Sequence, residues 1–358
     1  QAEVLRSEAA VGAAAPEAPE LYYENFSEGR SGEAGLTQAL PISNWTSAAR
    51  AAASADAEAA RLEAGLIRAA VTAEARKLFY AVSISAERLR FETGNSAAAL
   101  ELLGKVEERV LSGRLGSADL LRARLESERA RLREYEASAA LKKLKSSLNL
   151  LMGRDPSAPL AIEEDPAAFD IAETDWKPFD ASARLDLRLL EKRAGASALR
   201  VKAERRRRAL PDLAAGAAMA REDGAKGLKF SLGMRLPLWG PASSAVRSAE
   251  SDREAAAAEL TAAGIRAAHE FNIARVSADA ARERARVLRG NLDTVHELRR
   301  LASLAYLSGR AQLTDYYEAH RVFLEGNLEY LEAMRDYQWA KADLEKCYEA
   351  PLAAGEEQ

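Results

Sequence analysis

Along residues 227–236, GLKFSLGMRL, apolar and polar positions alternate without a break. Leu228, Phe230, Leu232, Met234 and Leu236 share one side; Lys229, Ser231, Gly233 and Arg235 share the other. A period of two predicts a strand with one apolar and one wet face. Its partner is expected over 211–221, across the turn-forming REDGAKG. A weaker copy of this pair spans about 20–28 and 33–41 around SEGRSG, where Leu36 and Leu40 keep the alternation and Gln38 interrupts it.

After each hairpin the pattern becomes helical. No proline interrupts the stretch from about Thr46 to Leu111, or that from about Ser243 to Leu307. Each would extend roughly 100 Å at the usual rise per residue. Return helices follow, to about Met152 and about Tyr348. On the first, Leu121, Leu125, Leu132, Tyr135 and Ala139 form a heptad-like seam. Leu141, Leu144, Leu148 and Leu151 then slip in phase, so the coiled coil is not continuous. Gly153 and Pro156 end that helix, and the Asp-, Pro- and Glu-rich stretch 154–180 reads as a linker.

The same plan occurs twice. The octet SGRLGSAD begins at Ser112 and SGRAQLTD begins at Ser308, 196 residues later. ALPISNWTSAAR (39–50) matches RLPLWGPASSAVR (235–247), and GLIRAA (65–70) matches GIRAA (264–268). Order and spacing agree, so one structural unit is used twice. The expected organisation is a first repeat over 1–153, a linker over 154–180, a second repeat over 181–350 and a short tail over 351–358.

Composition narrows the chemistry. The 358 residues are 30% charged and only 6% aromatic, as in long solvated helices. A net charge of −4 gives no global attraction to nucleic acid. One cysteine, Cys347, excludes an internal disulfide and a cysteine metal cage. His269, His296 and His320 lack paired spacing, and the four methionines are scattered, so neither a metal site nor a cofactor site is expected. No catalytic set stands out either, and the chain reads as a non-enzyme. No apolar run is long enough for a membrane helix. The chain opens with the helical-looking QAEVLRSEAAVG and no visible signal peptide, so removal of a processed N-terminus is expected. Four strands per chain cannot close a sheet, and long helices with narrow Ala/Leu seams cannot bury themselves. Association of several chains, with strands closing one barrel and helices one cylinder, resolves both problems.

A hairpin, a long helix, a glycine turn and a return helix ending in LLMG, all repeated, resemble the TolC-like outer-membrane efflux proteins. The match rests on Gly113 with Asp119 and LLRARLESERARL, and on Tyr306, Gly309, Asp315 and the helix starting YYEAHRVFLEG. It covers residues from about 20 to 350. PELYYENFSEG and GLTQALPISN are similar to the branch serving heavy-metal cation pumps. The resemblance implies a mostly α fold with a small β part: a homotrimeric helical tunnel capped by a shared twelve-stranded β-barrel in the outer membrane. It implies a passive exit duct for small molecules or metal cations, partnered by outer-membrane lipid, a periplasmic adaptor and a proton-driven inner-membrane pump. A protein-secretion duct and, in a different class, a soluble periplasmic scaffold remain alternatives.

On this resemblance the octets are the periplasmic tips. Ser112, Gly113, Arg114, Ser308, Gly309 and Arg310 would form the turns that meet the adaptor. Asp315, Glu318, Asp119, Tyr306 and Arg310 would form the entrance gate, with Tyr306 bonding toward Asp119, Asp315 projecting into the pore and Arg310 pairing with Asp119. Asp119 and Asp315 also suit a second role, as acids favoured at helix N-termini. The basic run ERRRRALPDL (204–213) reads either as a solvated helix end or as a contact to anionic head groups. Trp45 and Trp239 stand at strand-to-helix junctions, where an interfacial aromatic or ordinary packing would fit.

Overall fold

The computed structural model describes residues 2–13, 18–26, 31–40, 43–161, 170–171, 176–209, 212–222, 225–235 and 242–348. The main elements among these residues follow in the order α1 (Ala2–Ala13), β1 (Glu20–Phe26), β2 (Ser31–Leu40), α2 (Trp45–Leu111), α3 (Ser117–Leu151), α4 (Leu185–Ala209), β3 (Asp212–Glu222), β4 (Ala225–Arg235), α5 (Ala242–Leu307) and α6 (Leu313–Lys346). The alternating segments are strands and the proline-free stretches are helices, to within a few residues of the expected ends. The chain divides into two compact units, one of residues 1–67, 180–268 and 349–358, the other of residues 68–179 and 269–348. Each unit draws on segments from both halves of the sequence.

In the first unit the two hairpins do not stand apart. β2 pairs antiparallel with β3 over Gly32–Leu40, giving one four-stranded sheet in the order β1-β2-β3-β4. The register places Leu228, Phe230, Leu232 and Met234 on one face with Met219, Leu36, Leu21 and Tyr23. All eight are exposed, Phe230 to 82%. Leu236 lies outside the described residues. Gln38 sits on this face too, its amide donating to the carbonyl of Ala39 at 3.0 Å.

The opposite face is small and polar. The Tyr22 hydroxyl donates to Glu33 at 2.7 Å, and Lys229 reaches Glu33 at 3.2 Å. Two glycines allow this face to pack closely. A Cβ on Gly35 would stand 2.7 Å from Ala218 Cβ and from the Tyr22 ring, and one on Gly216 would stand 2.5 Å from Ser231 Oγ. Neither space admits a side chain without movement.

In the second unit α2, α3, α5 and α6 meet along alanine-rich seams. The buried positions of α3 include Ala123, Ala130 and Ala137, spaced by seven. α5 repeats that spacing with Phe271, Ala278 and Ala285. Side chains this small let helices approach closely. The heptad-like seam of α3 lies on the surface of the single chain: Leu121, Leu125, Leu132 and Tyr135 are all exposed. Larger residues fill the gaps from α6, where Met334, Tyr337 and Leu344 are fully buried.

Candidate functional site

The two octets build the two turns of the second unit. Both turns end a helix in the same way. Gly113 and Gly309 take φ of +72° and +75°, the left-handed conformation that glycine adopts without a steric cost. The Gly113 N–H donates to Val110 O and the Arg114 N–H to Arg109 O; Gly309 and Arg310 donate in the same pattern to Tyr306 O and Ala305 O. These are paired Schellman bonds, which satisfy the last carbonyls of α2 and α5. Ser112 Oγ and Ser308 Oγ each donate one further bond, to Arg109 O and Ala305 O. Ser-Gly-Arg therefore encodes a helix stop, twice. A third stop at Gly153 (φ +69°) closes α3 with the same pair of bonds.

The return helices start differently. Gly116 caps α3 without any side-chain bond. Gln312 caps α6, and its N–H donates to the Asp315 carboxylate at 2.9 Å. Asp315 thus has the helix-capping role, while its side chain remains exposed. Asp119 holds the corresponding position in α3, is half-buried, and forms no ion pair among the described residues.

Beneath the turns, Leu102, Val106, Ala123, Tyr306 and Leu313 form a core contributed by all four helices. Tyr316 and Tyr317 pack against it, and burial raises both phenol pKa values above their ordinary range. Tyr306 is buried, but its hydroxyl has no hydrogen-bond partner among the described residues, so the expected bond to Asp119 is absent within one chain. The ring lies instead under Arg109, whose guanidinium stands 4.9 Å from the centroid. Arg109 also donates to Leu307 O at 3.0 Å and to Tyr306 O at 3.4 Å, tying the end of α2 to the end of α5. Nothing singled out Arg109 in the sequence beyond its place in a last helical turn, where a cation is favourable. Arg310 is exposed and forms no ion pair with Asp119; it is absent from the lining of the cleft beside the turns. That cleft holds about 510 Å³ and is lined by Arg109, Arg114, Arg122, Asp119 and Tyr306. Glu318 is exposed one turn beyond Asp315.

Farther along the same helices lies a buried polar layer that the sequence did not announce. Glu92 of α2 is fully buried, with Arg133 of α3 at 3.6 Å. Both Glu92 oxygens, both Asn95 amide atoms, Arg88 Nε and Arg133 Nε lack hydrogen bonds among the described residues. Burial raises the Glu92 pKa against the opposing pull of Arg133 and Arg88. His320 of α6 stacks on Tyr316 and Phe323, and burial first, then Arg299 and Arg133, lowers its pKa to about 4. Among the described residues no cluster of three metal-ligating side chains occurs, and no helix is long and apolar enough to cross a membrane.

A sheet with an exposed apolar face, joined to paired long helices that end in matched turns, is an architecture with known counterparts. The chain superimposes on the structure of CusC, described by its conformational changes on folding and transmembrane channel formation, with a TM-score of 0.83 over 98% of this chain and 87% of that one. It has the fold of the TolC-like outer-membrane channels. Sequence identity to CusC is 13%. The outer membrane protein VceC of Vibrio cholerae matches with a TM-score of 0.79 and 14% identity, over 98% of this chain and 92% of that one. The cobalt-zinc-cadmium resistance protein CzcC of Cupriavidus metallidurans is 24% identical over 343 residues, which is 91% of this chain and 79% of that protein. No family model matches the sequence.

Proposed function

We propose that the protein is the outer-membrane exit duct of a tripartite efflux system, a passive conduit rather than an enzyme. The observation that carries this reading is the sheet: one exposed apolar face, one small and polar face, and β1 and β4 at its two edges. Three copies of four strands would give twelve, closing those edges against each other and turning Leu228, Phe230, Leu232 and Met234 toward lipid. The exposed Leu121, Leu125, Leu132 and Tyr135 would then be covered by neighbouring helices of the trimer. The two repeats, 1–153 and 181–350, supply equivalent hairpins to barrel and tunnel.

At the periplasmic end, Ser112–Arg114 and Ser308–Arg310 form the surface that meets a periplasmic adaptor, itself bound to an inner-membrane pump. Asp315 and Glu318, exposed and repeated around a threefold axis, supply carboxylate rings that favour cations. Asp119 and Tyr306 belong to the same entrance, Tyr306 through a hydroxyl held in reserve for a neighbouring chain. The likeness to a cobalt-zinc-cadmium resistance protein favours divalent metal cations as cargo.

Conductance in planar bilayers tests this. The detergent-purified protein should sediment as a trimer and give a small, cation-selective conductance. Asp315→Asn keeps an oxygen to cap Gln312 and removes the charge, so selectivity should fall while the fold persists. A trimer that never conducts, even with Tyr306→Phe or Arg310→Ala at the tips, would sink the duct reading.

A further inference from the structure

The arginine run that closes α4 has no part in the duct or its gate. Four consecutive arginines, Arg205–Arg208, form the last turn before β3. A helix C-terminus favours one or two cations through its dipole, and four exceed that need. Their contacts divide them. Arg205 pairs with Glu250 of α5. Arg206 donates to Ser47 Oγ at 3.4 Å, and Arg207 lies over the Trp45 ring with its guanidinium carbon 5.0 Å from the centroid. Neither Arg206 nor Arg207 has a carboxylate partner among the described residues.

Position gives these two cations their meaning. Trp45 opens α2 five residues after β2 ends at Leu40, and Arg207 precedes Leu213 of β3 by six. Leu40, Leu213 and Met234 are paired neighbours on the exposed apolar face, so that face runs to the helix-side end of the strands. An aromatic ring with an arginine stacked on it thus stands at the rim of an apolar band, flanked by a second arginine that has no carboxylate partner among the described residues. Apolar surface, then indole, then guanidinium is the order of a bilayer's own layers: acyl chain, interface, phosphate.

We propose that Arg206 and Arg207, seated on Trp45, bind the phosphate groups of anionic lipid in the leaflet nearest the helices. This rests on the reading that the sheet spans a membrane. The shared chemistry is a phosphate, and the source is the bilayer, because the guanidiniums border an apolar band rather than an enclosed cavity.

The experiment uses the full chain reconstituted into nanodiscs, with spin-labelled phosphatidylglycerol and phosphatidylcholine reporting boundary lipid. The native protein should prefer phosphatidylglycerol by about fivefold, the contribution of one surface arginine or more. The preference should shrink in high salt. Arg206→Gln/Arg207→Gln should bring the ratio close to unity, while Arg206→Lys/Arg207→Lys should retain most of it; retention by the lysine pair separates lost charge from lost fold. An inserted, conducting protein without a preference overturns the proposal and leaves the duct intact. An unchanged preference in the glutamine pair overturns it too, as does inorganic phosphate competing as well as the lipid. Failure to insert in either lipid removes the membrane reading first.

Discussion

The two helix turns share a backbone and differ in nearly every side-chain contact. Both stop a helix at a glycine of positive φ with the same two hydrogen bonds. Beyond the glycine, the second turn caps its return helix through Asp315, and the first leaves Gly116 uncapped. Before the glycine, the first turn carries Arg109 and the second carries Ala305 at the equivalent place. The two turns agree in what backbone geometry requires and differ in their side chains. Arg109 and Tyr306 tie the two turns together, with α2 donating to the end of α5.

The largest break in the comparison should come from pH. Position 320 is a half-buried histidine, and its counterpart 196 residues earlier is the exposed Arg124. His320 has its pKa lowered from 6.5 to about 4, so the unfolded chain binds more protons between those values and stability is lost as pH falls through that window. The full loss is about 3 kcal/mol. Hydrogen-exchange protection factors in α6, with the intrinsic pH dependence of amide exchange divided out, should fall between pH 7 and 4.5 in the native protein, and His320→Phe should flatten that response. Glu92 acts in the opposite sense. Its folded pKa is raised above 4.5, so its burial penalty is relieved as pH falls through that raised value. Glu92→Gln should therefore stabilise at pH 7 and steepen the net acid loss, a trend readable in thermal melts.

Arg109→Ala comes next. It removes two charged donations to carbonyls and a cation–π contact, for about 2 kcal/mol. The effect should couple with Tyr306→Ala in a double-mutant cycle. Additive losses would mean that the two turns are independent.

Gly113→Ala and Gly309→Ala should each cost about 1 kcal/mol, and by similar amounts, since both alanines would be forced to positive φ in open space. A clear inequality would show that the turns are not equivalent backbones. The smallest effect separates the acids: Asp315→Ala should cost about 1 kcal/mol through its lost cap, and Asp119→Ala a few tenths. Comparable costs in chemical denaturation would count against the asymmetry of the caps.

By itself the sequence determined the elements. Alternation in GLKFSLGMRL specified β4, absence of proline specified α2 and α5, and Ser-Gly-Arg specified both stops, because period, ring closure and φ preference are local properties of the chain. It also contained the alternating apolar face. The tertiary structure decided which faces meet. Leu121, Leu125 and Leu132 outrank Ala123, Ala130 and Ala137 in hydrophobicity, yet the alanines are buried, because burial within one chain depends on how closely helices approach, and alanine permits the closest contact. The pairing of β2 with β3 likewise joins residues almost two hundred positions apart. Arg109 over Tyr306 and Glu92 beside Arg133 are contacts of the same kind: each side chain is ordinary in its own helix and acquires its role from the helix packed against it.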